Sequence, residues 1–310
     1  MVKENLKIPG INFIGNRNIA FIIAGALIFI SLVALIVRGL NFSVDFAGGT
    51  ELQIRFDEDV YSEIGTIRQI VSNLGFGNPE VKLIRSGDAV GTEMQITVKA
   101  QGSDSASVSN KITTSFKQDL PGKEFKVLRN ETVGPKVGKE LQKDAFWAVL
   151  FSIFVILVYL AFRFKYPYGI ASVVALTHDA IVCVGLFAIT GWEFSIPVLA
   201  AILTVVAYSI NSTIVIFDRV RENIGNKLLE KISFEDLVNR SINETFIRNV
   251  VTTVSTLFVV LAILFVFLFS GSVLENFAAT LTVGFLAGVF SSLYIACAIL
   301  VLWNKKWSIR

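Results

Sequence analysis

The stretch from Thr204 to Asn223, TVVAYSINSTIVIFDRVREN, is apolar enough to lie in a membrane but carries polar side chains at helical spacing. Tyr208, Asn211 and Ser212 follow Thr204 by four, seven and eight positions, which puts them on one face of a helix. Polar groups at bilayer depth are costly unless they meet a partner or water, so such a face normally points into a bundle. The stretch therefore predicts a membrane helix with one functional face, which is typical of a transporter and not of an anchor.

The same helix ends in charged residues. Thr213 follows Ser212 directly, and Asp218 and Arg219 begin a charged run. We interpret this run as the exit of the helix into headgroups and water.

Composition places the chain among multi-span membrane proteins. Its 310 residues are 53% hydrophobic and only 17% charged, whereas a soluble protein is about a quarter charged. The net charge of +3 is too small to indicate nucleic-acid binding. Cys183 and Cys297 both lie in apolar segments, so we expect no disulfide, no metal site and no cofactor.

Six apolar runs are long enough to span a bilayer, which takes roughly 20 residues. Short loops on one side carry lysine and arginine, whereas the loops 191–197 and 270–276 carry neither. By the positive-inside rule, both termini are expected in the cytoplasm. The six predicted spans are Ile19–Val37, Ala145–Phe162, Ile170–Thr190, Val198–Phe217, Val250–Phe269 and Phe277–Trp303.

The insert between the first two spans, residues 41–143, is predicted to be an extracytoplasmic α+β domain. Alternating and helical apolar patterns follow one another in the order βαββαβ, which is ferredoxin-like. The chain thus divides into 1–40, 41–143 and 144–310. The predicted strands and helices of the insert are Thr50–Phe56, Val60–Leu74, Val81–Arg85, Met94–Val98, Ser103–Leu120 and Phe125–Val133.

The cytoplasmic loop 218–249 has an amphipathic pattern. A helix lying on the membrane surface is one interpretation, and a surface for docking a partner is the other.

Glycine motifs flank the insert. Gly48 and Gly49 precede its first strand, and the turn signal Gly134-Pro135 with Gly138 leads into the second span. We expect a shaped entry at the first motif, and either a hinge or a plain linker at the second.

His178 and Asp179 lie midway along the third span. Neighbouring positions on a helix diverge by about 100°, so we expect that these two cannot face one small site. A buried hydrogen-bonded pair that positions helices and a part in a proton route both stay open.

Two further patterns occur in the last spans. Arg248, with Thr252 and Ser255 on the same face, precedes the fifth span and either snorkels to the interface or faces the polar helix. Gly284 and Gly288 in the sixth span form a small-xxx-small face, which favours close helix packing.

Four segments resemble the SecF family, which belongs to the SecDF protein-export complex in the resistance-nodulation-division (RND) superfamily. The resemblance covers nearly the whole chain. The segments are VDFAGGT (44–50), VGPKVGKEL (133–141), ALTHDA (175–180) and YSINSTIVIFDRVREN (208–223).

The resemblance implies a bacterial inner-membrane protein that pairs with SecD. It further implies association with SecYEG, SecA and YajC, and use of the proton-motive force, or of a sodium gradient, to draw preproteins outward. No enzymatic activity is expected, because no nucleophile–base pair is visible.

One position departs from the family. The fourth-span motif of the family is Asn-Asp-Thr, and here it is Asn211-Ser212-Thr213. The missing carboxylate belongs to the ion pathway of the family, and Arg248 matches its fifth-span arginine. The departure implies that SecD supplies the carboxylate, that the coupling ion is sodium, or that coupling is weaker.

Two other functions stay open. One is half of an exporter of small molecules or lipids from the same superfamily, although such exporters carry larger loop domains. The other is a scaffold for translocon assembly that uses no ion gradient.

Overall fold

A computed structural model of the chain describes residues 10–76, 79–84, 91–99, 105–268 and 273–307. Arg85, Ser103 and Phe269, at which the sequence placed the ends of elements, lie outside the described residues. Within those residues the elements are α1 (Arg17–Arg38), β1 (Asn41–Phe42), α2 (Val44–Ala47), β2 (Gly49–Phe56), α3 (Ile64–Asn73), β3 (Glu80–Ile84), β4 (Thr92–Val98), α4 (Ser105–Asp119), β5 (Phe125–Val133), α5 (Pro135–Arg163), α6 (Tyr166–Thr190), β6 (Glu193–Phe194), α7 (Ile196–Ile224), α8 (Phe234–Phe267), α9 (Val273–Phe290) and α10 (Cys297–Trp307).

Six helical units of the described chain are long and apolar enough to cross a membrane, which confirms the predicted polytopic helical membrane protein. They are α1, α5, α6, α7, α8 and the unit Val273–Lys305, in which the π-helical turn Ser291–Ala296 joins α9 to α10. We call them spans one to six.

Two helices extend further than hydropathy indicates. Span two begins at Pro135, inside the predicted insert, because proline at the first helical position is already set for a helix. Span four continues to Ile224 and span five begins at Phe234. The prediction that residues 218–249 form a loop is therefore wrong, because only residues 225–233 connect the two helices.

The residues of the predicted surface helix pack into the bundle instead. Leu237, Val238 and Ile242 are buried in one core cluster with Phe13 and Ile14, which precede span one. Their apolar stripe, which resembled that of a membrane-surface helix, thus covers the ends of other spans.

Between spans one and two lies an antiparallel four-stranded sheet in the order β3-β4-β2-β5. Leu52, Ile54 and Phe56 of β2 alternate inward, as the period of two in the sequence predicts. They pack with Ile67 of α3 and Ile112 of α4 in a separate core.

Spans three, four and six form the interior of the bundle. Their apolar windows are 44%, 44% and 61% buried, compared with 17%, 6% and 17% for spans one, two and five. The outer three spans leave large apolar side chains exposed, as contact with lipid or with another membrane subunit requires.

Candidate functional site

The carboxylate of Asp179 occupies the middle of the bundle and is fully buried. Ser209 Oγ of span four donates to Asp179 Oδ2 at 2.6 Å, and Ser291 Oγ of the π turn donates to the same oxygen at 2.8 Å. His178 Nδ1 lies 3.0 Å from the other oxygen, Oδ1. Spans three, four and six therefore converge on a single carboxylate.

The contact between His178 and Asp179 corrects the expectation that they cannot share a site. The Cα–Cβ directions of neighbours on a helix do diverge, but both side chains turn about their χ angles until ring and carboxylate meet. His178 is 2% exposed, and its Nε2 has no hydrogen-bond partner among the described residues. Nδ1 of His178 thus contacts Asp179, whereas Nε2 has no hydrogen bond within the described residues.

A second polar contact lies beside the first. Thr213 Oγ1 and Ser292 Oγ are 2.9 Å apart, and Ser292 Oγ also donates to the backbone oxygen of Ser209 at 3.3 Å. The π turn places Ser291 and Ser292, which are neighbours in sequence, against two different partners. π-helical turns within α-helices are frequently found at functional sites.

Three residues of this network were not predicted from the sequence: Ser209, Ser291 and Ser292. Each is a small hydroxyl residue in an apolar run, where it also fits a helix-packing role. The pair Ser291-Ser292 at the depth of an intramembrane acid was the signal available in the sequence.

The residues of the predicted polar face of span four do not all have the same exposure. Thr204 and Asn211 are exposed, whereas Ser212 is buried. Tyr208 is half-buried, and its Oη lies 3.4 Å from both Thr253 Oγ1 and Thr256 Oγ1 of span five.

Arg248 and Thr252 are exposed on span five. Within the described chain the Arg248 guanidinium forms no ion pair, and Thr252 Oγ1 donates to the backbone oxygen of Arg248 at 2.9 Å. Helical spacing aligns both residues with Thr256, which contacts Tyr208. The two faces therefore adjoin and form a polar outer surface, which we call the α7–α8 polar seam: Thr204, Tyr208, Asn211, Arg248, Thr252 and Ser255.

Asp218 and Arg219 hold helix ends together. Arg163 donates to both oxygens of Asp218 at 2.7 Å, and Arg219 pairs with Glu244 of span five at 2.6 Å. These pairs connect spans two, four and five at one end of the bundle.

The two glycine motifs lie against each other at the junction of sheet and bundle. A Cβ at Gly138 would come within 2.7 Å of Phe46 O, and one at Gly48, whose φ is +76°, within 2.8 Å of the Pro135 Cα. A Cβ at Gly49 would meet Val98 O at 2.3 Å. Side chains are excluded here because backbones touch, which describes a packed joint better than a loose linker.

Gly284 and Gly288 bring span six close to span four. A Cβ at Gly284 would lie 2.2 Å from Val205 Cγ2, and one at Gly288 would lie 3.1 Å from Ser209 Cβ. The small-xxx-small face thus packs within the chain and brings span six close to Ser209, which holds Asp179.

A cavity of about 430 Å³ lies between sheet and bundle, and the charged side chains in its wall are acidic except for Arg129. Burial and the nearby carboxylates of Glu193, Glu131 and Asp45 raise the pKa of Glu51 from 4.5 to about 7, although Arg129 opposes this shift. The pKa of Glu51 therefore lies near neutral pH.

Comparison with known proteins agrees with this architecture. Residues 112–306 match the family described as "Protein export membrane protein SecD/SecF, C-terminal", and residues 33–60 match "SecD/SecF GG Motif". Protein translocase subunit SecF of Calditerrivibrio nitroreducens is 38% identical over 94% of this chain and 93% of that protein.

Two solved structures of SecDF are similar. The structure from Thermus thermophilus matches with a TM-score of 0.82 and 36% identity, covering 96% of this chain and 39% of that one. A super-membrane-facing form matches with a TM-score of 0.67 at 36% identity, covering 97% of this chain and 40% of that one. The chain belongs to the SecF family of protein-export membrane subunits.

Proposed function

We propose that this chain is an accessory subunit of the Sec translocon which, with a SecD partner, uses an ion gradient to promote protein export. Its relatives are named protein translocase subunits, which supports a transport role. In the SecDF relatives, the region that matches this chain is 39% of a longer single chain. The name SecDF and this extra length support SecD as the partner. The gradient is that of protons or of sodium ions across the bacterial inner membrane.

The buried Asp179 is the observation that carries ion coupling. A carboxylate with no solvent exposure at the middle of three spans is costly, so a function is the default explanation. One charge moved through 100 mV releases about 2.3 kcal/mol, and only a group that binds and releases an ion can use it. A scaffold would have no need for such a group.

The α7–α8 polar seam supports the partner. Asn211 and Arg248 would be expensive against lipid, and both are exposed in this single chain. A subunit that covers the seam and supplies a carboxylate would pair with Arg248. It would also compensate for Ser212, which cannot carry a proton as a carboxylic acid does.

The topology of the complex completes the proposal. The sheet unit is a ferredoxin-like domain outside the cytoplasm, and both chain ends are cytoplasmic. SecYEG, SecA, YajC and the preprotein are the further partners, with lipid against spans one, two and five.

In vitro export into proteoliposomes that hold SecD, the channel and this chain tests the proposal, with proton and sodium gradients applied separately. We expect one gradient to accelerate export, and Arg248→Ala to remove the acceleration while leaving the rate without a gradient unchanged. Arg68→Ala is the matched control, because Arg68 is exposed on α3, far in sequence from the spans. Unchanged acceleration in Arg248→Ala would remove Arg248 from the coupling, and export that neither gradient accelerates in the wild type would contradict the proposal and favour a passive scaffold.

A further inference from the structure

We propose that His178 and Asp179 form a proton-binding site inside the membrane, in which His178 Nε2 takes up the proton and Asp179 stays ionised. This inference rests on the proposed function and deepens it, because it names the proton as the ion and gives this chain its own charge-changing group. The site is distinct from the α7–α8 polar seam, since it lies among spans three, four and six.

The hydrogen bonds favour an ionised Asp179. Two serine hydroxyls donate to Oδ2, and an imidazole nitrogen faces Oδ1. An oxygen of a carboxylate only accepts, so His178 Nδ1 must carry the hydrogen of that contact. Three donors directed at one carboxylate stabilise its charged form.

The remaining imidazole nitrogen is the place for a proton. His178 Nε2 is buried, and within the described ranges no group bonds to it. With Nδ1 protonated, Nε2 holds a lone pair, and an unpaired buried acceptor is destabilising. A proton from water on the acidic side forms an N–H bond there, and that bond breaks when the proton passes to water on the other side.

Charge balance makes uptake favourable. His178 is the only ion-pair partner of Asp179 in the described part of the chain. With a neutral imidazole the pair has a net charge of −1 in a medium of low dielectric, and with a bound proton its net charge is zero.

No strong charge competes with the pair at its depth. Within the described residues, even the charged residues nearest the middle of the helices packed on span three lie toward the helix ends: Arg17 and Arg38 on α1, Asp144 and Arg163 on α5, Asp218 on α7, Glu275 on α9 and Lys305 on α10. Other titratable groups on these helices are Cys183 on span three, Tyr208 on span four, Tyr294 on the π turn and Cys297, whose Sγ donates to the backbone oxygen of Ser292 at 3.2 Å.

The same contacts link the proton to the arrangement of helices. Ser209 and Ser291 belong to different spans, and both hold Asp179 Oδ2. A change in the charge of the pair changes the strength of both hydrogen bonds together. Proton binding is thus coupled to the packing of spans three, four and six.

The single histidine of the chain makes the test direct. The full chain, without a histidine tag, is labelled with ¹⁵N-histidine and studied by NMR in lipid nanodiscs. As the medium is acidified, we expect the Nε2 signal to change from unprotonated to protonated while Nδ1 stays protonated. Asp179→Asn should shift this midpoint to lower pH, because a nearby anion favours the charged imidazole.

Two further variants keep the test decisive. Asp179→Glu should restore the midpoint toward that of the wild type, and Thr177→Val should leave it unchanged, because Thr177 is exposed and bonds only within its own helix. An Nε2 signal that does not move in the wild type, or a midpoint that Asp179→Asn leaves in place, overturns the site.

The two proposals fail separately. Gradient-driven export with a silent imidazole removes the proton site and keeps the proposed function. A titrating imidazole with gradient-independent export keeps the site and removes the function.

Discussion

Among single residues, Glu51 combines burial with like-charged neighbours. Desolvation has the largest effect on its pKa, followed by Glu193 and Glu131, and together they raise it from 4.5 to about 7. Between these two pH values the folded protein binds more protons than the unfolded chain. The free energy of unfolding therefore falls as pH rises through this window.

This linkage predicts the behaviour of two variants. Glu51→Gln should flatten the fall in stability between about pH 4.5 and 7, because the titrating group is gone. Arg129→Gln should extend the fall to higher pH, because Arg129 is the cation that lowers the pKa of Glu51. Melting temperatures of the purified full chain across this range provide the measurement. A Glu51→Gln protein with the wild-type slope would show that Glu51 is not the responsible group.

The sequence predicted which polar residues lie inside a span, but it did not predict where their side chains point. Hydropathy alone placed His178 and Asp179 inside a span, because an acid in an apolar run is conspicuous. The direction of their side chains depends on rotamers and on Ser209 and Ser291 from distant positions. No local sequence pattern predicts the contacts of Ser209 and Ser291 with Asp179.

At the scale of elements, the contact between spans four and six depends on the absence of a side chain. A Cβ at Gly284 would lie 2.2 and 2.7 Å from the two methyl groups of Val205. We expect Gly284→Ala to destabilise the bundle by about 1–3 kcal/mol, since overpacking costs this much. Val205→Ala should recover part of the loss in the double variant, which denaturant unfolding in detergent can measure.

The control is Gly25→Ala in span one, where a Cβ would meet nothing within 4 Å. It should be neutral or stabilising by up to about 1 kcal/mol, because alanine favours helix over glycine. Equal losses at both glycines would show that helix propensity, and not packing, dominates.

Element boundaries show where sequence patterns lose information. All six spans were predicted, because the bilayer requires long apolar runs. The starts of α5 at Pro135 and α8 at Phe234 were missed, because both helices continue into polar sequence beyond the membrane. Hydropathy indicates which residues lie in the membrane, but it does not indicate where the hydrogen bonds of the helix end.

For the whole molecule, contacts from several elements form the joint between sheet and bundle. β1 pairs with β6 in parallel, so the start of the insert is bonded to the loop between spans three and four. Gln142 of span two donates to Phe46 O at 2.8 Å, and Lys82 of the sheet lies 3.3 Å from Glu193.

Asp45 is one of the residues of this joint that connect the two parts. Its Oδ2 accepts from the backbone nitrogen of Ile196 at 3.2 Å, at the start of span four, and lies 3.2 Å from Ser43 Oγ. A carboxylate there caps the helix and complements its dipole. Asp45→Ala should therefore cost about 0.5–2 kcal/mol and loosen the joint, whereas Asp45→Asn keeps an acceptor and should cost less.

Hydrogen exchange by mass spectrometry locates this effect. We expect Asp45→Ala to speed exchange at residues 41–49 and 193–199 while the core of β2 and β4 stays protected, because that core is independent of the joint. Asp59→Ala is the matched control, since Asp59 caps backbone within the sheet unit alone. Faster exchange throughout the sheet would mean that Asp45 stabilises the unit itself. Exchange confined to residues 41–49 and 193–199 would mean that Asp45 stabilises the joint and that the sheet unit is stable without it.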